Sequence, residues 1–263
     1  MYQIMASSGL PGGIVTDWGG FMRLTPDETD LVVVPSLKYA PEEVIRHLRY
    51  LSEENVSIFA VGDVTGIEDL FGVYPSAVNV ELTSLTDGSD TEQINKIRDT
   101  LYYTAPDEKV ALFATDIDGK KHPVLIRNGR NALLNVYIEH VGIERSGYII
   151  MDTANISRLL KKNCLSAVRE ISRPMAVSTD SSGICLFENE RGEKMILITD
   201  YSPYGTGHGK EITVIFEDIT VFGVEGSDPF DADNLNPLTE SGHMKGFSFD
   251  IRERGARLFR LIE

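Results

Sequence analysis

Between Asp30 and Gly62 the hydrophobic period of the chain changes twice, and this restricts the possible fold more than any other stretch does. Leu31-Val32-Val33-Val34 is a continuous apolar run closed by Pro35, the pattern of a strand buried on both faces. Pro41-Glu42-Glu43 then opens a helix, with proline at its start and acid in the first turn, where the helix dipole favours negative charge. Val44, Ile45, Leu48 and Leu51 keep the three-to-four spacing of a helix with one buried face. A second apolar run, Ile58-Phe59-Ala60-Val61, stops at Gly62. Strand, helix and strand within about thirty residues make a βαβ unit, so the two strands should be parallel with a right-handed crossover.

Beyond this unit the pattern turns mostly to strands. Lys109–Ala114, Pro123–Ile126 and Ala132–Tyr137 are separated by Asp118-Gly119 and Asn128-Gly129, dipeptides that tolerate positive φ, and they predict a three-stranded antiparallel meander. A long helix follows, with Asp152 or Thr153 as cap and Ile156, Leu159, Leu160, Cys164, Val168 and Ile171 on one stripe, and Pro174 ends it. From there the chain reads as seven short strands: 175–178, 184–189, 195–200, 212–216, 219–222, 247–251 and 257–262. Two loops interrupt them, the Gly-rich aromatic stretch 201–209 and a polar excursion over 225–245. The expected organisation is an α/β domain over residues 1–173 and an all-β sandwich over 174–263.

Composition narrows the function classes. The 263 residues carry a net charge of −15, and 16 acidic against 6 basic side chains fall within residues 1–105, the pattern of a solvated acidic face. Nucleic-acid affinity comes largely from Lys and Arg releasing counterions, so no nucleic-acid partner is expected. No apolar run approaches the length of a membrane span, and the first residues lack the basic and apolar regions of a signal peptide, which makes a cytoplasmic location the expectation and a membrane partner an unexpected one. Two cysteines are too few for a disulfide scaffold or a four-thiolate zinc site.

In α/β sheets ligands lie beyond the carboxyl ends of the strands, so the residues after Val34 and Val61 are the first places for chemistry. A doubly wound hydrolase or amidotransferase puts Cys or Ser at the strand-to-helix elbow, whereas here the elbow is Gly62-Asp63-Val64-Thr65-Gly66. Asp63 is a candidate carboxylate nucleophile or base, or else an acidic cap on the turn at Ile67–Phe71. Cys164 falls on the apolar stripe of the long helix and Cys185 inside a strand, both expected to be structural thiols. The histidines at 47, 122, 140, 208 and 243 show no pair at ligand spacing, and Asp231-Ala232-Asp233 fails the calcium-loop pattern at its glycine and its last glutamate, so neither a metal nor another cofactor is implied. Sugar rings stack on aromatic faces, and Trp18, Tyr201 and Tyr204 sit in Gly/Pro-rich segments; with Asp63 they are the carbohydrate-binding candidates, against the alternative that each ring plugs a loop onto its own core.

With the βαβ unit, the elbow and the terminal strands taken together, the chain resembles the non-catalytic C-terminal part of bacterial beta-galactosidase-type glycoside hydrolases. The resemblance rests on the segments Asp30–Leu37, Ser57–Gly66, Gly66–Val73, Ile196–Ser202 and Phe247–Leu261. It implies a flavodoxin-like or glutamine-amidotransferase-like doubly wound domain, used in trimerisation, followed by an immunoglobulin-like β-sandwich. It also departs from that family in two ways. The amidotransferase-like fold normally places Cys where this chain has Gly62-Asp63, so that activity does not carry over, and the catalytic barrel is absent. A clear first βα unit ahead of Leu31 is missing too, which gives the expectation of a fragment or of a subunit completed by a partner chain.

Three readings follow for function. The first is a non-catalytic accessory and oligomerisation module in carbohydrate metabolism, partnered by copies of itself or by a barrel-bearing glycosidase. The second is a small-molecule or carbohydrate-binding protein using the cleft after Val34 and Val61. The third is a stand-alone hydrolase acting through Asp63.

Overall fold

A computed structural model describes residues 15, 17–136, 157–171, 176–178, 182–188, 191–200, 210–217, 219–226, 235–240, 242–251 and 255–263. They fall into two units, one of residues up to 171 and one of residues from 176 onward. Among the described residues no helix is long and apolar enough to cross a membrane.

The first unit is built on a mixed seven-stranded sheet. Its strands are β1 (Leu31–Val34), β2 (Ser57–Val61), β3 (Tyr74–Thr86), β4 (Thr91–Thr104), β5 (Val110–Asp116), β6 (Lys121–Asn128) and β7 (Asn131–Leu134), in the order β1-β2-β7-β6-β5-β3-β4. Among the described residues four α-helices accompany it: α1 (Trp18–Phe21), α2 (Glu42–Glu53), α3 (Glu68–Phe71) and α4 (Arg158–Ile171). β1 and β2 pair in parallel with Leu31 opposite Ser57, as the βαβ pattern requires, and α2 buries Val44, Leu48 and Leu51 while Ile45 packs partly against the same core. Asn55 ends the turn after α2 at φ 72°, a left-handed position that asparagine tolerates better than most residues.

β7 pairs in parallel with β2 and antiparallel with β6, so the expected meander β5-β6-β7 forms and its last strand is the one that joins the parallel set. The register sets Ala60, Leu133 and Ile126 side by side on the face that also carries Ile58, Val32 and Val34 beneath α2. Phe59, one position out of phase, points the other way and is fully buried too, which explains why β2 reads as an unbroken apolar run. Parallel pairing is confined to β1, β2 and β7; the remaining four strands are antiparallel.

The long hairpin of β3 and β4 has no counterpart among the expected strands. Its turn carries Gly88 at φ 85°, and the Asp87 carboxylate accepts from the Ser89 and Asp90 amides. The hairpin tip holds the start of α4: Glu92 accepts from Ser157 Oγ and from the amides of Arg158 and Leu159, and Asp90 and Asp87 pair with Arg158 and Lys162. Ser157 itself accepts from the Leu160 amide. Helix α4 therefore begins at Arg158; Asp152, Thr153 and Ile156, expected at its start, and Pro174 lie outside the described residues. The expected stripe is otherwise present, with Leu159, Leu160, Cys164, Ala167 and Val168 buried over β3–β6.

Among the described residues the second unit consists of two four-stranded antiparallel sheets. One has the order β12-β15-β10-β9, from β9 (Ser182–Glu188), β10 (Lys194–Asp200), β12 (Gly223–Gly226) and β15 (Ala256–Ile262). The other has the order β13-β14-β11-β8, from β8 (Ala176–Ser178), β11 (Lys210–Phe216), β13 (Asn236–Glu240) and β14 (His243–Ile251). Phe259 of the first sheet meets Phe247 and Phe249 of the second at ring-centroid distances of 5.0 and 4.9 Å, so the two sheets pack face to face as a sandwich. Two expectations are corrected. Residues 219–222 do not form a strand; only Val221 bridges to Met244, and β12 begins at Gly223. The polar excursion contains a strand, β13, whose five residues are all exposed and so carry no alternation.

Candidate functional site

The parallel strands β1, β2 and β7 end on the same side of the sheet, and the segments that follow them interlock. Gly62, at φ 79°, donates its amide to Leu134 O at 2.7 Å, and Leu37 donates to Asp63 O at 2.7 Å. Gly66 closes the elbow at φ 94°, where a side chain would be strained. The elbow is thus a backbone knot tying the ends of all three parallel strands together.

Asp63 is 8% exposed, and its Oδ1 accepts three bonds: from Thr65 N at 2.8 Å, Thr65 Oγ1 at 2.6 Å and Tyr103 Oη at 3.1 Å. Tyr103 Oη in turn accepts from the Val64 amide at 2.9 Å. Burial pushes the Tyr103 hydroxyl up to about 12, so it stays protonated and acts as donor to the carboxylate. Asn135, directly after β7, completes the cluster: its Nδ2 donates to Tyr103 O at 2.8 Å and Pro123 O at 3.0 Å, and its Oδ1 accepts from the amides of Tyr102 and Tyr103, both at 3.2 Å. Asp63 therefore caps its own elbow through an Asx-type turn. It does not cap α3, whose first turn carries Glu68 accepting from Gly66 N.

The elbow is held from outside as well. Arg49 of α2 makes a bidentate pair with Asp69, at 2.9 and 2.7 Å, and donates to Gly66 O at 2.6 Å. The Asp69 partnership raises the Arg49 pKa and lowers that of Asp69, so both remain charged.

Of the four carbohydrate-binding candidates, Trp18 and Asp63 fall among the described residues. Trp18 is 45% exposed and meets Phe21 edge-on at 6.3 Å, and Phe21 continues into His47 at 5.2 Å. Among the described residues Trp18 and Asp63 share no hydrogen-bond or ring partner. Tyr201 and Tyr204 lie outside the described residues, as do His140, His208, Asp231 and Asp233. Tyr103 and Asn135 escaped sequence reading, and their one local signal is the polar Asn135 cutting short the apolar run Ala132-Leu133-Leu134. Tyr39, 87% exposed on the loop after β1 with the Lys38 ammonium 5.5 Å from its ring centroid, is a further exposed aromatic near the strand ends.

Two other reactive side chains are occupied structurally. Cys164 is fully buried and its thiol is pushed up to about 12 by that burial. His122 pairs with Asp116 at 2.7 Å, while Asp116 also accepts from the Asp118 and Lys120 amides of the β5–β6 turn. Among the described residues no three His, Cys, Asp or Glu side chains gather as a metal-binding group.

The fold these elements define is a mixed α/β unit with an antiparallel β-sandwich unit. Solved structures share it: an alpha-L-fucosidase, isoenzyme 2 from Paenibacillus thiaminolyticus, matches over 99% of this chain with a TM-score of 0.63 and 11% identity. The GH42 beta-galactosidase Gan42B matches over 100% of the chain with a TM-score of 0.58 and 10% identity. The chain spans 44% and 35% of those two proteins' lengths. No protein-family model and no curated protein matches the sequence.

Proposed function

We propose that this chain is a non-catalytic accessory and oligomerisation module related to glycoside hydrolases and working in carbohydrate metabolism. In this reading residues 1–173 are an amidotransferase-like doubly wound domain without its nucleophile, and residues 174–263 are an immunoglobulin-like sandwich. The observation that carries the reading is the elbow. Where a nucleophile would have to be exposed to a base, Asp63 is largely buried, and its Oδ1 accepts from Thr65 and Tyr103 to shape the turn. The likeness to portions of two glycoside hydrolases supports the carbohydrate context. The partner is a further copy of the chain or a barrel-bearing glycosidase.

Light scattering on the purified chain across a hundredfold concentration range, with and without a barrel-bearing glycosidase, tests this. Concentration-dependent assembly or co-elution is the expected result. A monomer throughout, with no association, overturns it. Release of nitrophenol from nitrophenyl glycosides by the chain alone, abolished in Asp63→Asn, would instead establish the hydrolase reading.

A second reading, a carbohydrate-binding protein using the strand-end cleft, is favoured by the exposed faces of Trp18 and Tyr39. Thermal stabilisation by millimolar mono- or oligosaccharides that is lost in Trp18→Ala or Tyr39→Ala would support it, because a ligand bound only by the folded state raises the melting temperature.

A further inference from the structure

The β-sandwich carries a cleft that neither the elbow nor the strand-end reading uses. It opens between the end of β11 and the β13–β14 hairpin and has a volume of about 550 Å³, within the range of small-ligand pockets. Phe216, Ile219 and Met244 form an apolar floor continuous with the sandwich core. Glu217, Thr220, Glu240, His243 and Lys245 form a polar rim, all of them exposed.

Backbone bonds fix the chain beside the cleft. Met244 donates its amide to Val221 O at 2.8 Å, and Phe222 donates to Ile262 O at 2.7 Å, so the chain from 221 to 222 is pinned to β14 on one side and β15 on the other. This holds the Phe222 ring outward, 59% exposed, with its centroid 5.2 Å from the His243 ring. Phe222 does not line the cleft itself but adjoins it through His243, so an exposed ring borders a rim of donors and acceptors over an apolar floor, the chemistry of a sugar platform. A pyranose has a C–H face suited to the apolar floor and hydroxyls suited to carboxylates, an ammonium, an imidazole and a hydroxyl. Glu240 and Lys245 pair at only 3.7 Å and are largely exposed, so exchanging that contact for sugar hydroxyls costs little.

We propose that this cleft binds a neutral saccharide. The rim carries two carboxylates against one ammonium, and the chain as a whole carries −15, which disfavours uronates and sulfated or sialylated sugars. The choice of a sugar rests on the carbohydrate context proposed above. Its failure can be told apart from failure of the oligomerisation reading, because assembly is measured without any ligand.

The test is a titration of the full chain with lactose, methyl α-L-fucoside and, as the anionic comparison, galacturonic acid, followed by isothermal calorimetry and by the methyl resonances of Thr220 and Met244. The expected result is saturable binding of a neutral sugar that perturbs those methyls and weakens by about tenfold or more in Glu217→Gln/Lys245→Met, an exposed pair whose replacement leaves the core intact. Phe222→Ala should weaken it similarly, and Trp18→Ala should leave it unchanged. Absence of binding up to about 50 mM of the neutral sugars, a dissociation constant unchanged in the rim and Phe222 variants, loss of binding in Trp18→Ala, or tighter binding of galacturonic acid would each overturn the proposal.

Discussion

Replacing Tyr103 with phenylalanine isolates what holds the elbow. The substitution removes one oxygen from a fully packed site and leaves the ring in place. The buried Val64 amide, which donates to that oxygen at 2.9 Å, loses its acceptor, and an unsatisfied buried donor costs about 1–3 kcal/mol. Asp63 keeps both Thr65 bonds and loses only the longest of its three, at 3.1 Å, a contribution of less than about 1 kcal/mol. For an unfolding slope of about 2 kcal/mol per molar urea, the midpoint should fall by about 1 M. Trp18 is the single tryptophan and lies in the first unit, so its fluorescence follows that unit directly. A second readout separates the hydroxyl from general packing. Because the folded-state Tyr103 pKa is raised to about 12, its contribution is fully present below the unfolded value of about 10 and is lost as pH rises from there through the folded value. The wild type should therefore show a loss of stability between about pH 10 and 12 that the phenylalanine variant lacks. A midpoint shift below about 0.3 M, or an alkaline slope unchanged in the variant, would refute the role assigned to this hydroxyl.

Glu92→Ala removes the acceptor for the Arg158 and Leu159 amides and should cost about 1–2 kcal/mol, seen as faster amide exchange in the first turn of α4. The same exchange should quicken in acid. Asp87, through Ser89 and then Lys162, and Asp90, through Arg158, are both held below the usual carboxylate range, so their contribution is present above about pH 4 and is lost as pH falls further. Gly246→Ala would set a Cβ 2.1 Å from Val214 O, so β14 and β11 must separate locally; a loss of at least about 1–3 kcal/mol is expected, measured by exchange of the Ile212–Phe216 amides. Thiol labelling of the native chain should modify the partly exposed Cys185 readily and Cys164 only in denaturant; equal rates at both would contradict the burial of α4.

The βαβ unit was legible because each of its signals was local: an apolar run too continuous for a half-exposed strand, a proline-acid helix start, and Gly62 where the backbone turns. The β3–β4 hairpin was not, although Asp87-Gly88 is a hairpin dipeptide. Residues Tyr74–Asn79 of β3 are exposed and polar side chains fill much of β4, so the short alternation Val80-Glu81-Leu82 ahead of the turn stands alone. β13 hides for the same reason. The Val221 bridge reads as a strand from its apolar neighbours Ile219 and Phe222, but the chain there pairs one residue with Met244 and exposes Phe222, which composition alone does not foretell. At the site, the elbow position of Asp63 follows from the pattern. Its partner Tyr103, 40 residues away, and Asn135 beyond it are set by the order of strands in the sheet.

That long-range closure bears on what Asp63 can do. A carboxylate acting as base or nucleophile needs a lone pair free to meet a substrate, and a neighbour to supply or receive the proton. Here the Thr65 amide and hydroxyl that occupy Oδ1 are also the bonds that shape the turn, while Tyr103 joins the same oxygen to the amide of Val64. Freeing Oδ1 would remove the bonds that shape the turn, while the backbone bonds of Gly62 and Leu37 would still tie the ends of β1, β2 and β7, so chemistry at this carboxylate would have to use Oδ2. At this strand-to-helix elbow the Asp63 carboxylate shapes the turn, and backbone bonds from Gly62 and Leu37 hold the three strand ends together.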